Sequence, residues 1–231
     1  SAGDDIFNGT DFTGDVIDGG NEDDSSRGSD TVDYSNLDTA GLSTGVELTL
    51  NDSTTTSVTV DNTANDHTIV NIENVYGTAL ADNITGDADK NSLIGNAGTD
   101  YIDGAAGDDY IEGGANATGT ESLIGGLGLD TIYGGTGVDH IIGGADSDKL
   151  YGGEQDDTLD GGAGVDTLEG GLGDDTLIGG AADDKLKGGD GSDTADYSKE
   201  SSSVSANIQS NFASGSSIGI DTFSSIENIT G

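Results

Sequence analysis

Aspartate recurs along this chain at a fixed step of nine residues. Asp100, Asp109, Asp130, Asp139, Asp148, Asp157, Asp166, Asp175, Asp184 and Asp193 each hold the sixth place of a block opened by glycine. Glu121 takes that place in the one block lengthened by three residues, and Asn91 takes it in the block from Gly86. Asp5, Asp15, Asp24, Asp30 and Asp82 are further candidates in more degenerate surroundings. The chain has 45 acidic residues, two histidines and no cysteine. Carboxylates in register offer hard oxygen donors to a cation, and the lack of thiols and the scarcity of imidazoles argue against zinc or copper.

Nine-residue blocks open at Gly86, Gly95, Gly104, Gly113, Gly125, Gly134, Gly143, Gly152, Gly161, Gly170, Gly179 and Gly188. The clearest copies are GGLGLDTIY, GGAGVDTLE and GGLGDDTLI, which reduce to G-G-x-G-x-D-x-U-x with U a large apolar residue. Eleven of the twelve blocks carry such a residue in eighth place, Ala195 being the weak copy. A flexible Gly/Asp-rich linker has no reason to keep that register. The glycines permit the positive φ angles of a turn over the first six residues. The last three form a short strand whose side chains alternate, with Leu168 inward and Thr167 and Glu169 outward.

This nonapeptide resembles the calcium-binding repeat of RTX proteins, a family of secreted toxins, lipases, alkaline metalloproteases, giant adhesins and some surface-layer proteins. The resemblance implies an all-β fold: a right-handed parallel β-roll (a β-helix or solenoid) of nonapeptide repeats, with interspersed β-strand modules. It implies two nonads per turn, so residues 18 apart stack. One aspartate ladder is then Asp109, Asp130, Asp148, Asp166 and Asp184. The other is Asp100, Glu121, Asp139, Asp157, Asp175 and Asp193. Several Ca2+ ions are the implied cofactor. Besides the fifteen aspartates above, their ligands would be backbone carbonyls of Gly104, Gly107, Gly125, Gly126, Gly128, Gly134, Gly135, Gly137, Gly143, Gly144, Gly152, Gly161, Gly162, Gly164, Gly170, Gly171, Gly173, Gly179 and Gly188. Carboxylates plus carbonyls are what calcium prefers. Weaker or missing calcium is expected at the Asn91 end and near 113–124.

Four segments follow from composition. Residues 1–33 read as the end of a preceding degenerate roll, 34–77 as a β-strand module, 78–196 as the main roll, and 197–231 as a second strand module. In 34–77 glycine thins and period-two alternation appears, as in Val46-Glu47-Leu48-Thr49-Leu50. A larger repeat overlays this. Gly28–Ser35 (GSDTVDYS) recurs as Gly191–Ser198 (GSDTADYS), and Ile72-Glu73-Asn74-Val75 recurs as Ile226-Glu227-Asn228-Ile229. The chain is therefore expected to be part of a longer tandem array.

The net charge of −39 demands countercharge before the chain compacts. Six basic residues cannot neutralise a nucleic-acid backbone. No apolar run approaches the ~18 residues that span a bilayer. Catalysis finds little support: His67 and His140 stand alone, and Gly215-Ser216-Ser217-Ile218-Gly219 matches G-x-S-x-G without the strand–turn–helix context that motif needs. Outward positions carry no regular threonine array of the kind that binds ice. Ile124, Ile142 and Ile178 on one face, and Tyr133 with Tyr151 on the other, are expected outward and mark either cover by neighbouring strands or self-association.

The expected function is a calcium-binding structural segment of a large secreted bacterial surface protein: an adhesin, surface layer or extracellular filament. It folds and stiffens on calcium after type I secretion, and its partners are calcium and neighbouring copies or domains of the same protein. The alternative is the secretion and folding module of an exported hydrolase or toxin. More tandem units would favour the first, and an upstream catalytic domain the second.

Overall fold

The structure is a computed structural model that describes residues 4–8, 15–20, 29–51, 55–60 and 67–231. Asp24 lies outside the described residues. No α-helix occurs among them; a single 3-10 turn at Ile208–Ser210 interrupts an otherwise all-strand chain.

The chain winds as a right-handed parallel β-solenoid of about 7 turns. Each nonad supplies one extended stretch, two of them running together in Tyr110–Leu127 and again in Thr131–Ala145, and outside the lengthened block strands pair in register with those 18 residues away. Thus Lys149–Glu154 pairs with Thr167–Leu172, and Thr158–Ala163 with Thr176–Ala181, all parallel. Two stacks of inward side chains result. One runs Val32, Val75, Leu93, Ile111, Ile132, Leu150, Leu168, Leu186, Phe223. The other runs Leu48, Ile84, Ile102, Leu123, Ile141, Leu159, Leu177, Ala195, Ile229. From Ile84 to Leu177 every member is fully buried. The extra residues of the 113–124 block are absorbed as a register shift between Ala115 and Thr120, after which pairing resumes.

The glycines do what the sequence requires of them. Second-place Gly162 and fourth-place Gly164 have φ of 96° and 135°. Gln155 and Ala182, which replace fourth-place glycine, are forced to 79° and 96°.

The strand segments are built alike. In one, Val46–Thr49, Thr56–Val60 and His67–Val70 form an antiparallel meander. In the other, Val204–Asn207, Phe212–Gly215 and Gly219–Ser224 do the same. The last strand of each meander then joins the solenoid in parallel, Ile69 beside Ile17 and Phe223 beside Leu186. Asn74–Tyr76 and Asn228–Thr230 complete the same turn beside Thr31–Asp33 and Thr194–Asp196.

Tyr133 and Tyr151 stack face to face, with centroids 4.6 Å apart, and Tyr110 leans on Tyr133. On the opposite face Ile124 and Ile142 are half-buried, but Ile178 is only 7 % exposed. The segment after the roll reaches this face: Lys199 Nζ bonds Asp160, whose strand neighbour is Ile178.

Candidate metal centre

The sixth-place aspartates sit at the two edges where the roll turns. Each ends a glycine turn and precedes an inward apolar residue, so its side chain folds back beneath the turn. The ladder aspartates from Asp100 to Asp193 are at most 2 % exposed.

Their two carboxylate oxygens have different fates. Except at Asp139, where neither oxygen has a partner, Oδ1 accepts the backbone N–H of the ladder residue one turn earlier. Asp130 donates to Asp148, Asp148 to Asp166 and Asp166 to Asp184, at 2.8–2.9 Å. On the other edge Asp139 donates to Asp157, Asp157 to Asp175 and Asp175 to Asp193, again at 2.8–2.9 Å. Oδ2 has no partner at Asp100, Asp109, Asp130, Asp139, Asp148, Asp157, Asp166, Asp175, Asp184 and Asp193, although every one is buried. Buried polar atoms are otherwise paired in folded proteins, so a column of unpaired anionic oxygens calls for a cation.

Carbonyls surround the same space. A Cβ placed on Gly161 would lie 2.5 Å from Asp166 Oδ2 and 2.6 Å from the carbonyl oxygen of Gly179. Gly143 stands identically between Asp148 Oδ2 and the Gly161 carbonyl. First-place glycine is thus obligatory, because a side chain would fill the cradle between two oxygens. Second-place carbonyls such as that of Gly144 face the next turn, beside Gly162, and the Gly107 carbonyl faces Gly128. Among the described residues no three carboxylate or imidazole side chains converge. Any shell of six or more oxygens would therefore have to be completed by backbone carbonyls, a donor set that suits calcium rather than a metal needing several side-chain ligands.

Burial, partly offset by the Asp139 N–H, raises the Asp157 carboxyl to about 8. Asp109, Asp148 and Asp184 rise to about 7, and Asp139 and Asp175 to about 6, with burial again the main cause. Glu121, fully buried with both oxygens unpartnered, is pushed to about 9 by burial and by the carboxylates of Asp139, Asp100 and Asp157.

The backbones of Asp82, Asn91 and Asp30 join the ladder, donating to Asp100, Asp109 and Glu73, but the side chains of the remaining candidates are differently engaged. Asp82 spends both oxygens on protein donors: Oδ1 on Val46 N–H and the Thr78 hydroxyl, Oδ2 on Thr78 N–H. Asn91 holds Asp87 N–H with its amide oxygen. Asp30 Oδ1 accepts Asp5 N–H. Asp15 is exposed, and its carbonyl receives Thr68 N–H.

Three ladder members escaped the sequence reading. Asp221 receives Asp184 N–H at 3.1 Å, Glu227 receives Asp193 N–H at 3.0 Å, and Glu73 receives Asp30 N–H at 2.6 Å. Asp221-Thr222-Phe223 does fit the D-x-U core, which was the available signal. The glutamates lie in the repeated Ile-Glu-Asn segments but lack a glycine turn before them.

His140 is outward on its strand, and His67 is buried with its Nε2 against the Tyr34 hydroxyl. Ser217 donates to Glu200 from the turn between two antiparallel strands, which is not a nucleophile elbow.

A search of the curated proteins finds no match to the chain. The RTX calcium-binding nonapeptide repeat (4 copies) matches residues 76–111, 116–150, 124–159, 133–168 and 160–195. Together these matches cover half of the chain and all of the ladder from Asp82 to Asp193. With its glycine cradles and unpartnered carboxylate oxygens, the chain belongs to the RTX calcium-binding nonapeptide repeat family.

Proposed function

We propose that this chain is a calcium-dependent structural segment of a large exported bacterial surface protein, such as an adhesin, surface layer or extracellular filament. Calcium acts as its folding trigger and its stiffener. The observation that carries this reading is the pair of buried Oδ2 columns without protein partners. Neighbouring carboxylates one strand spacing apart, ~5 Å, repel by roughly 3 kcal/mol at an effective dielectric of ~20. Summed along two edges, that repulsion opposes folding of the metal-free chain, and a dication coordinated between turns reverses it. Binding and folding are then one event.

Such a switch has a use in export. The chain crosses the membrane unfolded where calcium is scarce and closes into a rod where calcium is abundant. The rod presents no built catalytic cluster among its described residues. The tyrosine row and the half-buried isoleucines offer lateral contacts to neighbouring copies of the same protein.

Far-UV circular dichroism during a calcium titration tests the reading, with magnesium as the control. A cooperative coil-to-β transition at roughly 0.1–1 mM calcium, absent with magnesium, is expected. A chain already folded in chelator would overturn it.

A further inference from the structure

Each strand segment hands the chain back to the roll through a short turn, and that turn imitates a roll turn with half the residues. Ser225-Ile226-Glu227 and Asn71-Ile72-Glu73 replace the six residues G-G-x-G-x-D. Ser225 and Asn71 both adopt left-handed backbone, with φ of 50° and 53°, although neither is glycine. Glu227 and Glu73 accept the N–H of Asp193 and Asp30, the task that Asp184 performs for Asp166.

The imitation extends to the carbonyls. Beside Gly161, the free oxygen of Asp166 meets the carbonyl of Gly179. Beside Gly188, the free oxygen of Asp193 meets the carbonyl of Ser225. Beside Gly19, Asp30 Oδ2 meets the carbonyl of Asn71. Asp193 has no exposed surface, and its Oδ2 has no partner. The opposite edge ends differently. Asp221 spends Oδ1 on Asp184 N–H and Oδ2 on the Tyr197 hydroxyl at 2.8 Å, so protein hydrogens close that ladder.

We propose that the Ser225 turn is half of a calcium site completed by Asp193, and that the Asn71 turn builds its counterpart with Asp30. The ion clamps one edge of each strand segment to the roll, and on the Asp221 edge the Tyr197 hydroxyl does the clamping. The segments are thus docked by metal on one side and by hydrogen bonds on the other. Their attachment becomes calcium-dependent although their own sequences lack the nonapeptide. The inference rests on the calcium reading above and adds donors outside the repeats.

The test uses the whole chain refolded in calcium, the wild type beside Asp193→Asn. The asparagine keeps an oxygen for Asp175 N–H and removes only the charge. Native mass spectrometry counts the ions, and carbonyl 13C resonances are followed as strontium replaces calcium. The expected result is one ion fewer in D193N. The Ser225 carbonyl carbon should respond to strontium in the wild type but not in D193N, while those of Gly161 and Gly170 respond in both. An unchanged ion count in D193N would overturn the proposal. So would a wild-type Ser225 carbonyl indifferent to the exchange while the glycine carbonyls respond. A wild-type chain that takes up no calcium would instead sink the broader reading of the roll.

Discussion

The backbone N–H of Asp148 points at the Oδ1 of Asp166, eighteen residues on, at 2.8 Å. One oxygen of Asp166 is therefore occupied by the preceding turn, and only the other is free for a metal. The two roles separate by mutation. Asp166→Asn keeps the acceptor and loses the charge. Asp166→Ala loses both and strands the Asp148 N–H. A site held at about a hundred times its dissociation constant contributes about 2.7 kcal/mol. D166N should therefore lower urea stability in saturating calcium by about 2–3 kcal/mol. D166A should cost at least about 1 kcal/mol more, for the orphaned donor. In chelator the order inverts, with D166N the more stable than wild type because one buried charge is gone. Equal losses for D166N with and without calcium would contradict this division of labour.

Protons compete with calcium for the same oxygens. The folded-state values of about 6 to 8 at Asp139, Asp148, Asp157, Asp175 and Asp184 lie above the ordinary 3.8 because burial disfavours the charge. The metal-free roll thus binds more protons than the unfolded chain. Its stability is fully present below the unfolded value and is lost as pH rises through the folded values. In chelator, β-structure should grow as pH falls from about 8 to about 5. With calcium present the dependence reverses, since binding expels those protons. Titration calorimetry in two buffers of different ionisation enthalpy should detect proton release near about pH 5, where acid has already folded and protonated the metal-free chain, that fades by about pH 8, where that chain is unfolded and ionised. Calcium uptake by the acid-folded chain without proton release would show that its ladders are already ionised.

Gln155 and Ala182 hold left-handed backbone that the fold imposes on them. Such a conformation costs a non-glycine residue about 1–2 kcal/mol. Glycine returns part of that gain through its larger unfolded-state entropy. Gln155→Gly and Ala182→Gly should each raise stability by about 0.5–1 kcal/mol in calcium, additively because the sites lie on opposite edges of the roll. A destabilised Q155G would mean that the glutamine side chain contributes more than its backbone strain removes.

The nonapeptide made the roll legible because everything it needs is local: a glycine turn, one acid, one inward residue. Leu168 inward between outward Thr167 and Glu169 follows from strand alternation alone, and the structure has it so. What stayed hidden is non-local. Tyr197 reaches Asp221 across 24 residues of irregular sequence, and Glu227 substitutes for an aspartate because a shorter turn needs a longer side chain. Ile178 is outward by strand position yet covered, since a later segment folds back over its face. The repeat G-G-x-G-x-D-x-U-x assigns nothing to its fifth place. Asp156 accepts Asp174 N–H, Asp174 accepts Ser192 N–H, and Asp183 accepts Ile220 N–H, so they tie successive turns together outside the buried ladder. Only the register between turns reveals that use.

The same register makes Asn91 the place to add a site. Its N–H donates to Asp109 Oδ1 at 2.7 Å, so its backbone already belongs to the ladder. Its side-chain oxygen faces Gly86 together with the Gly104 carbonyl, the position that Oδ2 holds elsewhere. Its amide nitrogen leans on Asp87 instead of leaving a charge for a metal. Asn91→Asp restores that charge in a cradle that is otherwise complete. It should bind one more calcium ion than wild type by native mass spectrometry and gain stability in millimolar calcium. In chelator it should lose stability, because the new carboxylate is buried near those of Asp87 and Asp109. If N91D gained no ion, the cradle at Gly86 would lack a donor that the complete repeats supply, and the missing donor would have to come from Asp89, which stands where those repeats have glycine.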